Sequence, residues 1–318
     1  MKLAVLTSGG DAPGMNAAIR AVVRRSIYDG IDVFGVSHGF AGLIQGSMDL
    51  MHLGSVADII HRGGTILRSA RSQEFLTAEG RKKALDHLSG RGVEGLVVIG
   101  GDGSLKGALA LGKLGLKVAV VPATIDNDMF GTDVCLGFDT ATNTVIQAID
   151  RLRDTATSHE RIFVVETMGR HSGFLALTAG LAGGAETIVV PEVEWDLEVV
   201  CRRLLRALER GKAHSIIVVA EGAASGADIA RRVMDRTGLD TRLTVLGHTQ
   251  RGGTPTAQDR VLGSRLGQRA VELLQEPNAA HLVGLQAGND TVVPLSEVMG
   301  KRPSLDKRLY ELAQVLAI

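Results

Sequence analysis

Four times along this chain a short apolar run breaks abruptly into a turn built from glycine, proline or acidic residues. Residues 3–6 lead into Thr7-Ser8-Gly9-Gly10-Asp11-Ala12-Pro13-Gly14, and residues 96–99 into Gly100-Gly101-Asp102-Gly103-Ser104. Residues 118–121 lead into Pro122-Ala123-Thr124-Ile125-Asp126-Asn127-Asp128, and residues 162–166 into Thr167-Met168-Gly169-Arg170-His171-Ser172-Gly173. Runs this short, closed by turn formers and separated by stretches of helical spacing, read as strands of a parallel sheet joined by helices. Such alternation predicts an α/β fold with doubly wound, mainly parallel, Rossmann-like sheets, two of them because the second half repeats the plan of the first. In these folds ligands meet the carboxyl ends of the strands, so the four turns are where chemistry belongs.

Further strands are expected at 33–36, 187–190, 214–220, 242–247 and 282–286. Helices are expected from residue 17, over 55–61, 79–88, 105–114, 140–157, 197–208, 259–274 and 304–316, and after the turn at 167–173. At 318 residues the chain is long enough for two domains. Lys plus Arg and Asp plus Glu stand at 35 each, so no overall field draws the protein to nucleic acid or to an anionic membrane, and any basic site must be local. Cys135 and Cys201 form no spaced pair, which fits a reduced cytoplasmic protein and disfavours zinc. Residues 2–6 are too short for a signal peptide, and no run is long enough to span a bilayer.

The turn after residue 6 opens a helix, an arrangement whose amide groups and helix dipole suit an anion, although no Gly-Lys-Ser/Thr follows as a Walker motif requires. It reads equally as a structural glycine turn. Arg62, Arg68 and Arg71 gather in a glycine-containing loop suited to a polyanion. The Gly101-x-Gly103-x-x-x-Gly107 spacing is one residue too long for the dinucleotide fingerprint, which disfavours NAD. An aspartate between glycines can instead approach a phosphate-bound magnesium ion. In 124–128, Asp126 and Asp128 project to one side of extended chain with backbones about 6.6 Å apart, either a two-carboxylate site or an Asx-rich turn. His248 and Arg251, in a glycine-rich loop, suit a small phosphoester. Arg20 and Arg24, one helical turn apart, read by themselves as a solvated face.

Five of these segments together, TSGGDAPGMNAAIR at 7–20, GGDGS at 100–104, PATIDND at 122–128, MGRHSG at 168–173 and LGHTQRGGTPT at 246–256, resemble the bacterial ATP-dependent phosphofructokinases in order and spacing. The resemblance covers essentially the whole chain. It implies an ATP- and magnesium-binding domain of residues 1–138 and 251–300, a sugar-phosphate domain of residues 139–250 and 301–318, and an active site in the cleft between them. It further implies transfer of the γ-phosphoryl group of ATP to fructose 6-phosphate.

Under that resemblance Asp126 is the base, with Thr124, Arg170 and Arg71 supporting the transfer. Gly10, Arg71, Ser72, Gly101, Asp102, Gly103 and Ser104 hold ATP, and Asp102 with Asp128 holds Mg2+. Thr124, Ile125, Asp126, Arg161, Met168, Gly169, Arg170, Glu221, Arg242, His248, Thr249, Gln250 and Arg251 hold the sugar phosphate. A neighbouring subunit of a homotetramer supplies Arg161 and Arg242. The effectors ADP and phosphoenolpyruvate fall to Arg20, Arg24, Arg153, Gly184, Ala185, Glu186, Arg210, Lys212, Ala213 and His214. Two departures stand out: Leu53 replaces an arginine that some members carry in the effector site, and Ala123 replaces the glycine usual in ATP users. Pyrophosphate users instead resemble Gly-Gly-Asp-Asp at 100–103, where the second aspartate would repel an α-phosphate; Gly103 therefore favours ATP. Other kinases with Gly-Gly-Asp-Gly, acting on NAD or lipids, and a non-catalytic nucleotide-binding subunit are the competing readings.

Overall fold

The computed structural model describes residues 1–212, 214–277 and 280–317. Their contacts divide the chain into two compact units. The first comprises Met1–Thr124, Asp128–Thr140 and Arg251–Pro303, the second Ile125–Asn127, Ala141–Gln250 and Ser304–Ile318.

In chain order the first unit contains β1 (Lys2–Ser8), α1 (Met15–Tyr28), β2 (Asp32–Val36), α2 (Gly39–Gln45), β3 (Met48–Leu50), α3 (Ala78–Gly90), β4 (Gly95–Gly100), α4 (Asp102–Gly112) and β5 (Lys117–Pro122). After α5 (Phe138–His159) the second unit continues with β6 (Ile162–Thr167), α6 (Phe174–Ala182), β7 (Thr187–Val189), α7 (Leu197–Glu209), β8 (Ser215–Ala220), α8 (Gly226–Thr237) and β9 (Thr241–Val245). The chain returns to the first unit for α9 (Ala257–Gln275), β10 (Ala280–Gln286), β11 (Asn289–Pro294) and α10 (Leu295–Val298), and closes in the second with α11 (Lys307–Leu316).

The first sheet runs β11-β10-β5-β4-β1-β2-β3, parallel except at its two outer pairings, β10 with β11 and β2 with β3. The second runs β7-β8-β6-β9 and is parallel throughout. The expected α/β class with mainly parallel sheets is what the chain adopts. Every residue of β4 and of β8 is buried, as strands covered on both faces must be. Leu96, Val98, Val118 and Val120 pack with Leu105 and Leu111 of α4 in the first core, and Val164, Ile217 and Val219 with Leu204, Ile229 and Val233 in the second. Each such side chain contributes about 1.5–3 kcal/mol through the water it leaves.

Two expectations need correction. The helix expected over 55–61 is only a 3-10 turn at Leu53–Val56, because Asp58 adopts a left-handed φ of 51° that a right-handed helix cannot continue through. The helix expected from 105 starts at Asp102, so Asp102, Gly103 and Ser104 occupy a first helical turn rather than a loop.

α1 and α9 lie side by side through small residues. A Cβ added at Gly267 would stand 2.6 Å from the Ala18 carbonyl oxygen and 2.9 Å from Ala21 Cβ. Ala is the better helix former by about 1 kcal/mol, but backbone overpacking costs about 1–3 kcal/mol. Gly267→Ala is therefore expected to lower the thermal midpoint. An unchanged or higher midpoint in a melting experiment would mean that the two helices separate at little cost.

Candidate active site

In the first sheet the strand order reverses between β4 and β1, which makes the carboxyl ends of those strands the crevice of the fold. Ser8 and Gly100 stand opposite each other there. The turn at 9–14 and the first turn of α4 therefore share one end of the sheet, and with them Gly10, Gly101, Asp102, Gly103 and Ser104. A Cβ at Gly103 would meet no atom within 4 Å, so the space before it is open. Ser104 is 2% exposed, and its hydroxyl has no hydrogen-bond partner among the described residues. Asp102, in the first turn, pairs with Lys106 at 2.8 Å, with half of its side chain exposed. The basic loop closes over this end: Thr7 Oγ1 donates to the Arg68 carbonyl at 2.9 Å, and Ser69 Oγ to the Gly9 carbonyl at 2.6 Å. Arg71, a few residues on, is exposed, and Ser72 Oγ accepts from the Phe75 amide. Arg251 donates to the Asp11 carbonyl at 3.2 Å, its guanidinium beside Gly10.

The loop after β5 stays paired beyond the sheet. Ala123 N donates to the Gly100 carbonyl at 3.1 Å, Thr124 N to the Leu136 carbonyl at 3.0 Å, and Leu136 N to the Pro122 carbonyl at 3.0 Å. Thr124 is thus held at its backbone. Ile125 is wholly buried, Asp126 is 4% exposed, and Asp128 is partly exposed.

In the second unit Asp126 Oδ2 lies 3.7 Å from Arg170 Nε, and the Asp126 carbonyl accepts from Ser172 Oγ at 2.8 Å. Asn127 and Arg170 both take left-handed backbone, with φ of 50° and 53°. Such conformations cost free energy at non-glycine residues and persist where the surroundings fix them. The surroundings do so: Arg170 N donates to Glu221 Oε1 at 2.9 Å, and a Cβ at Gly222 would collide with the Arg170 carbonyl oxygen. Met168 N donates to Gln250 Oε1 at 3.2 Å, which ties the turn after β6, with Gly169 at a φ of 140°, to the segment carrying the exposed His248 and Thr249. Arg161 Nε and Arg242 Nε approach the two oxygens of Asp240 at 2.7 and 2.9 Å. Asp240 was not among the expected residues, and an acidic residue two positions before Arg242 was its only signal.

Among the expected effector residues, Arg153 donates to the Gly183 and Gly184 carbonyls at 2.6 and 2.8 Å and lies 3.7 Å from Glu186. Glu186 is 4% exposed, following the exposed Gly184 and the buried Ala185; it pairs with Lys212 and accepts from the Ile216 amide at 2.6 Å. Arg210 is exposed and lines a groove of about 350 Å³ with Arg202, Arg203 and Arg206. His214 is partly buried, and Ala213 lies outside the described residues. Arg20 and Arg24 sit on α1 in the first unit, and Leu53 is 51% exposed.

Among the described residues no three His, Cys, Asp or Glu side chains are placed to hold a metal by themselves. Asp102 and Asp128 do offer hard oxygens in partly exposed positions of one unit, donors that suit magnesium sharing its shell with water and phosphate. The Asp102–Lys106 pair is exposed and of the kind worth at most about 1 kcal/mol, so it does not withhold that carboxylate.

Each unit is built on a mainly parallel sheet; the first carries a glycine-lined helix amino terminus at its strand ends and the second a buried carboxylate beside an arginine, features that suit a phosphotransferase-type α/β protein. The family model for phosphofructokinase matches residues 2–274. A relative from Natranaerobius thermophilus is 57% identical over 317 residues, covering 100% of this chain and 99% of its own, and one from Halalkalibacterium halodurans is 58% identical over the same span. The solved phosphofructokinase of Saccharomyces cerevisiae superposes with a TM-score of 0.89 at 38% identity, covering 99% of this chain; this chain spans 46% of the yeast chain. A pyrophosphate-dependent phosphofructokinase from Marinobacter aquaeolei, at 22% identity and a TM-score of 0.87, shares the fold. The chain belongs to the phosphofructokinase family.

The hydrogen bond from Arg161 above all, with that from Arg242 beside it, holds the Asp240 carboxyl below its ordinary value against an opposing desolvation. A depressed folded-state value means that the pairing contributes above the unfolded-state pKa and is lost only as pH falls through the folded one. Asp240→Asn is therefore expected to speed solvent exchange of the Arg161 and Arg242 Nε protons at neutral pH, whereas the parent protein shows the same loosening only in acid below the usual carboxylate range. Equal exchange in both proteins by NMR would place the hold elsewhere.

Proposed function

We propose that the protein transfers the γ-phosphoryl group of ATP to the 1-hydroxyl of fructose 6-phosphate, giving fructose 1,6-bisphosphate and ADP. What carries this reading is that the bacterial relatives at 57 and 58% identity, matched along their whole length, are ATP-dependent 6-phosphofructokinases. The site supports it residue by residue. Asp126 takes the proton of the 1-hydroxyl as that oxygen bonds to the γ-phosphorus. The bond from phosphorus to the β,γ-bridging oxygen breaks, and ADP leaves with the electron pair. Arg170, already turned toward Asp126, and Thr124, fixed through its backbone, offset charge on the transferring group, with Arg71 reaching from the basic loop. Catalysis of this kind is mostly positioning and charge stabilisation, so a buried, tethered carboxylate suits it.

Gly10, Gly101, Gly103, Ser104 and Ser72 hold the nucleotide at the strand ends. Asp102 and Asp128 hold Mg2+, which when bound neutralises phosphate charge. The sugar phosphate falls to Met168, Gly169, Glu221, His248, Thr249, Gln250 and Arg251, with Arg161 and Arg242 offered to the site of a neighbouring copy in a homotetramer. The edge strand β9 supports that last assignment, because Arg242, Leu243 and Val245 are exposed along it. Unpaired edges with apolar side chains are ready for a partner. The pairing of Arg153 and Lys212 with Glu186 supports an effector site for ADP and phosphoenolpyruvate in the second unit. No helix of the described residues is long and apolar enough to cross a membrane.

A coupled assay of fructose 6-phosphate with ATP or pyrophosphate tests the reaction. Turnover with ATP is expected, and Asp126→Asn should lower kcat about a hundredfold to ten-thousandfold with the fold intact. Activity toward NAD or a lipid in place of the sugar phosphate would replace the reading. Gly103→Asp fits the fold without a clash. It should therefore spare stability and damage ATP use far more than any use of pyrophosphate; equal loss with both donors would remove Gly103 as the donor determinant.

A further inference from the structure

The sequence Thr256-Ala257-Gln258-Asp259 reads as the start of a capping box, in which the acidic residue reaches back to the amide of the cap residue. Only half of the box forms. Thr256 Oγ1 accepts from the Asp259 amide at 3.3 Å, but the Asp259 carboxylate turns to another helix. It accepts from the Gly137 amide at 2.9 Å through Oδ1, and from the Thr140 amide and hydroxyl at 2.9 and 2.5 Å through Oδ2. The Thr256 amide, left over by this exchange, donates to Thr140 Oγ1 at 3.1 Å, and Thr256 Oγ1 donates to Asp139 Oδ2 at 2.6 Å. One carboxylate, 0% exposed, thus caps the amino terminus of α5 from the first turn of α9. Desolvation pushes the Asp259 carboxyl up, and the Thr140 and Gly137 donors oppose that shift. A buried carboxylate depends on its donors, since without them it costs more than an apolar side chain of the same size.

What the cap fixes lies one residue away. Leu136, next to Gly137, pairs with Ala123 and accepts from the Thr124 amide. Gly137 is pressed on the glycine turn after β1, since a Cβ there would lie 2.7 Å from Ala12 Cβ, and Gly14 of that turn lies against Asp259 itself. A single carboxylate therefore stands where the turn after β1, the loop after β5 and the segment after Arg251 converge.

We propose that Asp259 is a positioning residue of the phosphotransfer site, holding the start of α5 so that Leu136 keeps Thr124 in register two residues before the base. The inference rests on the kinase reading for its kinetic consequence but not for its structural one. A misplacement of about 1 Å in a tethered loop can cost roughly a hundredfold in rate. Asp259→Asn keeps the size and sets an amide donor against the Thr140 donors, so kcat should fall roughly tenfold or more while KM for ATP and for the sugar phosphate changes less than about threefold. Thr140→Ser, which keeps the hydroxyl, should retain the parental kcat; Thr140→Val should lose it. Amide exchange at Thr124 and Leu136 should quicken in Asp259→Asn and in Thr140→Val, while exchange at Val218 in the other sheet is unchanged.

Parental kcat in folded Asp259→Asn overturns the proposal, as do equal losses in the two Thr140 variants or unchanged exchange at Thr124 and Leu136. If Asp259→Asn does not fold, the Thr140 pair decides. If the parent protein fails to phosphorylate the sugar, the kinase reading falls, and the exchange experiment alone still decides the role of Asp259.

Discussion

A one-residue length of parallel pairing, Ala123 against Leu136, carries the loop on which the candidate site depends. Pro122 ends β5 because it cannot donate to a ladder, and an unpaired loop could not then remain buried, since each lone amide or carbonyl would cost free energy. Here the next amides find partners on both sides, Ala123 at the Gly100 carbonyl and Thr124 at the Leu136 carbonyl. A polar segment can therefore run under cover with Ile125 wholly buried and Asp126 nearly so. Burial is what turns an Asx-rich stretch from a solvated turn into a place where a carboxylate is held in one position.

The same economy of space governs the turn after β6. Arg170 stands in left-handed backbone, which costs on the order of 1–3 kcal/mol for a residue with a side chain. It persists because its amide is taken by Glu221 and its carbonyl lies where only Gly222 can pass. Strain is not peculiar to the site, as His38, Asp58 and Ala287 adopt similar angles elsewhere. What distinguishes Arg170 and Asn127 is that both flank Asp126, in space or in sequence, so their fixed backbone limits how far the carboxylate can wander.

Most of this was legible in the chain because it is written locally. Apolar runs such as 96–99 and the turns that close them are signals of a few residues, and they located the strand ends and the residues gathered there. α8 was not among the expected helices, although Ile229 and Val233 stand one turn apart and Gly238 follows Thr237 in left-handed conformation. What stayed hidden was long-range. Asp259 reaches Thr140 across 119 positions and Asp240 reaches Arg161 across 79, and nothing in the neighbouring residues announces either partner. Asp259 even carries a misleading local signal, since Thr-x-x-Asp predicts a bond within its own helix. The stretch 55–61 failed for a related reason: its helical spacing rests on few apolar residues, and Asp58 breaks it.

The start of α4 is where the structure alters the chemical argument most. Gly101 and Gly103 are poor helix formers, so local propensity places Gly-Gly-Asp-Gly-Ser in a loop. Packing of Leu105, Ala108 and Leu111 overrides that preference and draws the helix back to Asp102. A loop would offer an anion only such amides as happened to face it. A first helical turn aims its leading amides along the axis, and here, with the Ser104 and Leu105 amides bonded to the Gly101 carbonyl, it presents those of Asp102 and Gly103 together with the positive end of the dipole. This turn lies at the reversal of strand order, opposite Ser8 at the end of β1, and before it the space at Gly103 is open. Side chains there would obstruct a polyphosphate. The glycines that made a helix look improbable are thus what leave its amino terminus accessible, and their cost in helix propensity is met by the core behind them.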